Sequence, residues 1–342
     1  MSQYTLQLDE FDFKFASCAT ICVLGKRRTG KSTAGNFIAT RLANSGIRKF
    51  AVFCGNRDNM CEWQRIIHPL YVHGADIDKI VEIIEYQEKR IGEDRTQFEK
   101  GEKDKKRRDP DYVEEEYEVP IHLQVCIFFD DVGMIKKFTK HERVNFIATN
   151  GRHLGIILIQ LNQYLVQLPS ECRDQQDYIF ILNCSNTRGV DRLWDEYVTD
   201  ACVEKKNFSY ILSACTGKRG KCLVINNTSD YTITERLKYA KIPWPPCREY
   251  IGSKQFIRYG KKHYISEQNR KMQEKQKLET PKVPIDSRRF DENSCLPTEL
   301  TGGSSVVSID RNHKYNLRNL NEGHETFRDK KGNVVQIQLK NR

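Results

Sequence analysis

The sequence predicts an α/β fold with a mostly parallel central sheet and helices on both faces. Short apolar runs rich in β-branched residues alternate along the chain with segments of helical periodicity. Several runs are apolar at every position, which is typical of strands buried on both faces of a parallel sheet. The chain has 342 residues, enough for one large domain with appendages.

Six apolar runs predict strands, in chain order at residues 19–24, 50–55, 123–131, 155–163, 177–184 and 221–227. The run at 221–227, KCLVINN, is predicted to be the last strand of the sheet. Helical spacing predicts helices at 32–46, 77–91, 142–155, 187–202 and 204–215. Gly46 closes the first of these, as glycine often does at a helix end.

The alternation of strands and helices fades after Pro243, so we predict one α/β domain over residues 1–243. Residues 93–118 are almost all charged or polar and predict a solvated insertion, a helix extension followed by a loop. Residues 244–342 are rich in Lys, Arg, Asn and Gln. They predict a basic, weakly ordered C-terminal region that contains a short helix within 258–279.

Composition narrows the compartment and the class of partner. The net charge is +10, which favours polyanionic partners. The 12 cysteines form no C-x-x-C pair, and the N-terminal segment does not resemble a secretory signal. No apolar stretch reaches the roughly 18 residues of a membrane span. We therefore expect reduced thiols, a cytosolic or nuclear setting and no membrane span.

The stretch CVLGKRRTGKSTAGNF predicts a phosphate-binding P-loop between a strand and a helix, and hence a P-loop NTPase. The glycines let backbone N–H groups face the phosphates, the lysine reaches the β and γ phosphates, and the serine hydroxyl ligates Mg²⁺. A chance match is disfavoured by the flanking strand and helix. The predicted ATP-binding residues are Gly25, Thr29, Gly30, Lys31, Ser32 and Thr33.

Two aspartates end the third apolar run, CIFFDDV. Asp130 is placed to hold Mg²⁺ together with Ser32, and Asp131 to act as a general base on water. The alternative is a helix cap or turn at the strand end. GTPases recognise guanine through an Asn-Lys-x-Asp stretch, and this stretch is absent from the sequence. A small-molecule kinase, with the charged insertion as its lid, stays open as an alternative.

The segment NGRHLGIILIQLNQYLVQLP resembles the FtsK–HerA superfamily, in which a Gly-Arg stretch precedes an apolar strand that ends in Gln. The order of P-loop, paired aspartates, A-T-N-G-R-H and strand-end Gln resembles the genome-packaging ATPases of large nucleocytoplasmic DNA viruses, the poxvirus-type branch. This resemblance covers about residues 15–230.

The resemblance implies roles for individual residues. Lys31 and Ser32 match the Walker A motif and Asp130 the Walker B acid, while Asp131 stands where many relatives carry Glu. Gln163 matches a sensor of the γ-phosphate. The alternative role for Gln163 is a hydrogen bond at the strand end, and in that case Gln160 or Asn162 would be the sensor. Arg152 matches an arginine finger that acts across a subunit boundary. A helix-end cation or a DNA contact is the alternative role for Arg152.

The function implied is an ATP-driven translocase of double-stranded DNA that packages a viral genome into capsids. It implies a homo-oligomeric ring, often a hexamer in this family, a capsid or portal partner, and an assembly site in the host cytoplasm or nucleus or the virion. A cellular or mobile-element translocase or helicase, and a nucleotide-gated scaffold with little hydrolysis, stay open. Three cations of the loop are candidates for phosphate attraction: Lys26, Arg27 and Arg28. Six others are candidates for contact with DNA: Lys218, Arg219, Lys221, Arg258, Lys261 and Lys262. The alternative for both sets is plain surface charge.

Overall fold

The computed structural model describes residues 3–183, 187–199, 204–229, 233–243, 250–265, 269, 324–328 and 334–339. The strands within these ranges are β1 (Gln3–Leu8), β2 (Thr20–Leu24), β3 (Lys49–Cys54), β4 (Val72–His73), β5 (Val125–Asp130), β6 (Ile156–Asn162), β7 (Tyr178–Ile181), β8 (Lys221–Asn226), β9 (Leu237–Lys241), β10 (His324–Arg328) and β11 (Val334–Leu339).

The α-helices within the same ranges are α1 (Lys31–Asn44), α2 (Arg57–Trp63), α3 (Ile77–Arg108), α4 (Lys136–Thr139), α5 (Glu142–Asn150), α6 (Ser170–Arg173), α7 (Thr187–Tyr197), α8 (Lys205–Thr216), α9 (Ile233–Arg236) and α10 (Lys254–His263). In this described part of the chain, no helix is both long enough and apolar enough to span a bilayer.

An eight-stranded sheet forms the centre, in the order β4-β3-β5-β6-β2-β7-β8-β9. The first six strands in this order, from β4 through β3, β5, β6 and β2 to β7, run parallel. Strand β8 runs antiparallel to β7, and β9 runs antiparallel to β8. This confirms the predicted α/β fold with a mostly parallel sheet. A second, three-stranded sheet has the order β1-β11-β10.

Burial on both faces explains why the central strands are apolar at every position. Along β5, Phe128 packs into the core under α1, whereas Ile127 and Phe129 pack into the core under α3 and α5. Successive side chains of a strand point to opposite faces, so a strand covered on both sides needs an apolar residue at each position. Helices α7 and α8 cover the neighbouring strands β7 and β8.

The prediction that KCLVINN is the last strand of the sheet is wrong, because β9 follows and pairs with β8. Strand β9, LKYAK, is short, and two lysines interrupt its apolar residues. Its lysines concealed it in a search for continuous apolar runs.

The charged stretch 93–118 begins as helix, since α3 continues without a break from Ile77 to Arg108. Glu, Lys, Arg and Gln are good helix formers, so the helix outlasts the apolar stripe of Ile80, Ile84 and Ile91 that holds it to the core. The described parts of 244–342 are α10, β10, β11 and adjoining residues. The division of the chain at residue 243 stays a prediction.

The strand order places three strand ends side by side. Strand β6 lies between β2 and β5. In the register, Leu24 lies opposite Asn162, and Asp130 lies opposite Leu161. Because these strands are parallel, the loops that follow Leu24, Asp130 and Asn162 all leave the same edge of the sheet.

Candidate nucleotide-binding site

Two glycines shape the loop between β2 and α1. Gly30 has φ 100°, in the left-handed region that a residue with a side chain adopts only under strain. At Gly25 a Cβ would lie 2.5 Å from the Thr29 Oγ1 and 3.0 Å from the Leu182 Cβ, so a larger residue would displace the loop. The local backbone and packing therefore explain why both positions of the P-loop pattern are glycine.

The loop closes on itself and leaves the start of α1 open. The Thr29 hydroxyl donates to the Lys26 carbonyl at 2.7 Å, and the Lys31 ammonium approaches the same carbonyl at 3.5 Å. No side chain caps the N-terminus of α1 at Gly30. The first N–H groups of a helix have no intrahelical partner and carry partial positive charge, so they attract anions.

Asp130 ends β5 as a buried carboxylate, with 1% of the residue exposed. Its Oδ2 accepts a hydrogen bond from the Trp63 indole N–H at 2.8 Å. Burial raises the pKa of Asp130 to about 6, against the opposing effect of the indole bond; the Asp131 charge raises it further and Lys31 lowers it. This leaves the Oδ1 of Asp130 free of the indole.

Asp131 turns the chain sharply at the strand end. Its φ is 57°, unusual for a residue with a side chain. Gly55 makes room for this turn, because a Cβ there would overlap the Asp131 carbonyl. The Gln163 amide donates to the Asp131 carboxylate, 3.0 Å from Oδ1 and 2.8 Å from Oδ2. The structure thus brings together the predicted base and the predicted sensor.

Lys31 completes this group. It is half-buried, and desolvation lowers the pKa of its ammonium while the charges of Asp131 and Asp130 raise it. Arg27, exposed on the loop, lowers it further. Lys31 therefore lies within electrostatic range of both carboxylates, next to an open helix N-terminus.

The alternatives to Gln163 have different surroundings. The Gln160 side chain is buried in mid-strand and accepts from the Gln176 amide at 3.0 Å. Asn162 is 3% exposed, and its Nδ2 has no hydrogen-bond partner among the described residues. A buried unpaired amide is a donor for water or a ligand, so Asn162 stays open as a second polar group at this edge.

Two further residues of the site, Trp63 and Gln167, were not predicted from the sequence. Trp63 lies in α2 and gave no local signal, because its partner Asp130 is 67 positions away. Gln167 accepts the backbone N–H of Gln163 at 2.8 Å and of Tyr164 at 3.1 Å through one oxygen. It thereby fixes the backbone that carries the Gln163 side chain.

Arg152 lies far from this group. It is exposed in the 3₁₀ turn Gly151–Leu154, before β6, whereas Gln163 follows β6. The 7 residues of β6 place the two ends roughly 20 Å apart. Near Arg152, burial raises the pKa of Asp177 and the arginine charge opposes this. Arg152 is thus at the opposite edge of the sheet from the phosphate loop of its own chain.

The predicted DNA-facing cations occupy two separate places. Lys218, Arg219 and Lys221 precede or begin β8, at the far end of the sheet from β4. Arg258, Lys261 and Lys262 lie on α10, which packs near β4 through Phe256 stacked on Tyr71, with ring centroids 3.7 Å apart. The structure does not bring these two groups together.

A cavity of about 230 Å³ opens beside the loop. Its lining combines apolar residues such as Leu24 and Ile181 with the polar residues Lys26, Gln163, Arg188 and Arg192. None of the described residues that line it is a carboxylate, so the electrostatic character of the cavity favours an anionic group next to the phosphate loop.

No family model matches the chain. It is 24% identical over 257 residues, 75% of this chain and 90% of the relative, to the uncharacterized protein 075L of Invertebrate iridescent virus 6. It is 26% identical over 149 residues, 43% of this chain and 50% of the relative, to the uncharacterized protein L437 of Acanthamoeba polyphaga mimivirus. Both sequence relatives are viral proteins.

Among solved structures, the chain is similar to the genome packaging NTPase B204 of Sulfolobus turreted icosahedral virus 2 in complex with ATP-gammaS. The TM-score is 0.41 and the identity 15%, over 66% of this chain and 98% of that chain.

Replacing Trp63 by phenylalanine keeps an apolar ring against Phe128 but removes the N–H that Asp130 accepts. We expect the free energy of unfolding to fall by about 1.5–3 kcal/mol, the contribution of a hydrogen bond to a charged group. Urea denaturation measures it. In an Asp130→Ala background the same replacement should cost much less. Equal losses in both backgrounds would contradict a specific Trp63–Asp130 bond.

Proposed function

We propose that the chain is a Mg²⁺-dependent ATPase. The observation that carries the proposal is the convergence of Lys31, Asp131 and Gln163 on the open N-terminus of α1, next to the buried carboxylate of Asp130. The residues fit a nucleotide with its metal. The glycines leave the loop open for phosphates, and the Oδ1 of Asp130 is free of the indole bond.

Each residue then has a chemical task. Lys31 binds the β and γ phosphates, and Ser32 and Asp130 hold Mg²⁺, which neutralises phosphate charge when bound. Asp131 accepts the proton of the attacking water as the new bond to the γ-phosphorus forms and the bond to ADP breaks. Gln163 orients the Asp131 carboxylate with its amide N–H and adjoins the position of the γ-phosphate.

We further propose that hydrolysis drives translocation of double-stranded DNA in the packaging of a viral genome. The ordered motifs of the packaging family support this, and so does the viral origin of both sequence relatives. The viral relatives favour this function over a cellular translocase. A capsid or portal protein is the expected protein partner, and a viral assembly site in the host the expected location.

The same proposal includes a ring of subunits. Arg152 is exposed at the sheet edge opposite the phosphate loop of its own chain. In a head-to-tail ring one subunit presents this edge to the next subunit's site. There the guanidinium would stabilise charge that develops during phosphoryl transfer.

A nucleotide-gated scaffold is the second candidate function. It is favoured by Asp131, which is shorter than Glu, and by the bonds that both of its carboxylate oxygens already accept from Gln163. A scaffold would hydrolyse ATP slowly and without regard to DNA, whereas a translocase is expected to respond to duplex DNA.

Replacing Lys31 by alanine should lower the rate of ATP hydrolysis about 100-fold or more, as loss of a charged donor in the transition state does. Phosphate release with and without duplex DNA measures it. Lys89→Ala, an exposed lysine of α3, is the control and should keep most of the activity. An undiminished rate in Lys31→Ala would contradict the proposed ATPase site.

Replacing Arg152 by alanine should lower hydrolysis about 1,000-fold if the guanidinium acts as a finger. Mixing it with Lys31→Ala tests action in trans, because each variant supplies what the other lacks. The mixture should regain activity that neither variant has alone. Arg143→Ala is the control. Full activity of Arg152→Ala, or no gain on mixing, would contradict the trans-acting role.

A further inference from the structure

Residues 132–141 connect β5 to α5 directly after Asp131, at the same sheet edge as the candidate site. Their sequence, VGMIKKFTKH, contains no acidic residue. Lys136, Lys137 and Lys140 are exposed, and Met134 is 75% exposed. Within the described residues these lysines form no ion pair. We call these three residues the lysine ridge.

The ridge stands on a fixed turn. Phe138, in its middle, is 1% exposed, and its ring lies 5.3 Å from that of Phe129 between centroids. The backbone N–H groups of Phe138 and Thr139 donate to the Ile135 carbonyl at 2.9 and 3.0 Å. The buried phenylalanine anchors the segment while the three lysines remain in solvent.

The segment also touches the group that surrounds Asp131. At Gly133 a Cβ would lie 2.6 Å from the Gln167 Cβ and 3.2 Å from the Asn162 Oδ1, so the backbone packs directly on these side chains. Gln167 accepts the backbone N–H of Gln163, and the Gln163 amide holds Asp131. Gln163 is therefore linked to the segment by the hydrogen bond to Gln167 and the packing of Gln167 on Gly133.

We propose that the lysine ridge binds the phosphate backbone of duplex DNA and couples DNA contact to the ATP site. The inference rests on the proposed ATPase. Uncompensated lysine charges attract a polyanion, and ammonium groups contact phosphates without regard to base sequence. The position five to nine residues after Asp131 gives DNA contact a short mechanical path to the predicted base.

The test uses the full chain with Lys136, Lys137 and Lys140 all changed to Glu. The matched control changes Lys89, Lys100 and Lys103 on α3, which are also exposed, to Glu. Fluorescence anisotropy with a labelled random-sequence duplex measures affinity over a range of salt concentrations. ATP hydrolysis is measured on the same samples with and without that duplex.

The ridge variant should bind DNA at least tenfold more weakly, with a slope of log affinity against log salt reduced by about 2.7 for three lost phosphate contacts. Its hydrolysis without DNA should stay at the wild-type level, and stimulation by DNA should disappear. The α3 control should match the wild type in both. A triple change to Arg should retain DNA binding, because the charge is kept.

Wild-type affinity and salt slope in the ridge variant would overturn the inference. So would loss of binding to anionic lipid vesicles with DNA binding intact, since the ridge would then serve a membrane. If the triple variant does not fold, single Lys→Gln changes should each reduce the slope by about 0.9, and unchanged slopes would overturn the inference. Absence of ATP hydrolysis in the wild type would instead refute the proposed function, while anisotropy still reports on the ridge.

Discussion

The site depends on a carboxylate buried at the end of β5. A charge removed from water is costly unless it is hydrogen-bonded and paired, and Asp130 has the Trp63 indole and the charge of Lys31 for this purpose. Trp63 in turn lies against α1, where a Cβ at Gly35 would come within 3.2 Å of the indole ring. The contacts of Trp63 with Asp130 and with Gly35 thus fix the distance between α1 and β5, the strand that carries the acids.

The strand order extends this constraint to the rest of the site. Because β6 lies between β2 and β5, the residues that follow it fall between the phosphate loop and the acid pair. The same strand separates Gln163, at one edge, from Arg152, at the other. This separation supports the proposed ring, in which Arg152 would act at the site of a neighbouring subunit. The segment that carries the lysine ridge lies at the near edge, and its Gly133 packs on Gln167 and Asn162.

Much of this was predictable from sequence because buried parallel strands and phosphate loops have strong local signals. The runs that became β2, β5 and β6 are continuous, and the acids and Gln163 come directly at their ends. Trp63 was not predictable, since an isolated tryptophan in a short helix reveals nothing about a partner 67 positions away. Strand β9 was missed because Lys238 and Lys241 break up its apolar residues. The lysine ridge was missed because exposed lysines follow no hydrophobic periodicity.

The proposed function requires that ATP hydrolysis at this site moves the protein along duplex DNA. A triplex-displacement experiment tests it most directly, with a labelled third strand bound to a linear duplex and its release followed over time. We expect the wild-type protein to release the third strand with ATP and Mg²⁺, and to release none with a non-hydrolysable ATP analogue. Hydrolysis of ATP without release of the third strand would contradict translocation and favour a nucleotide-gated scaffold.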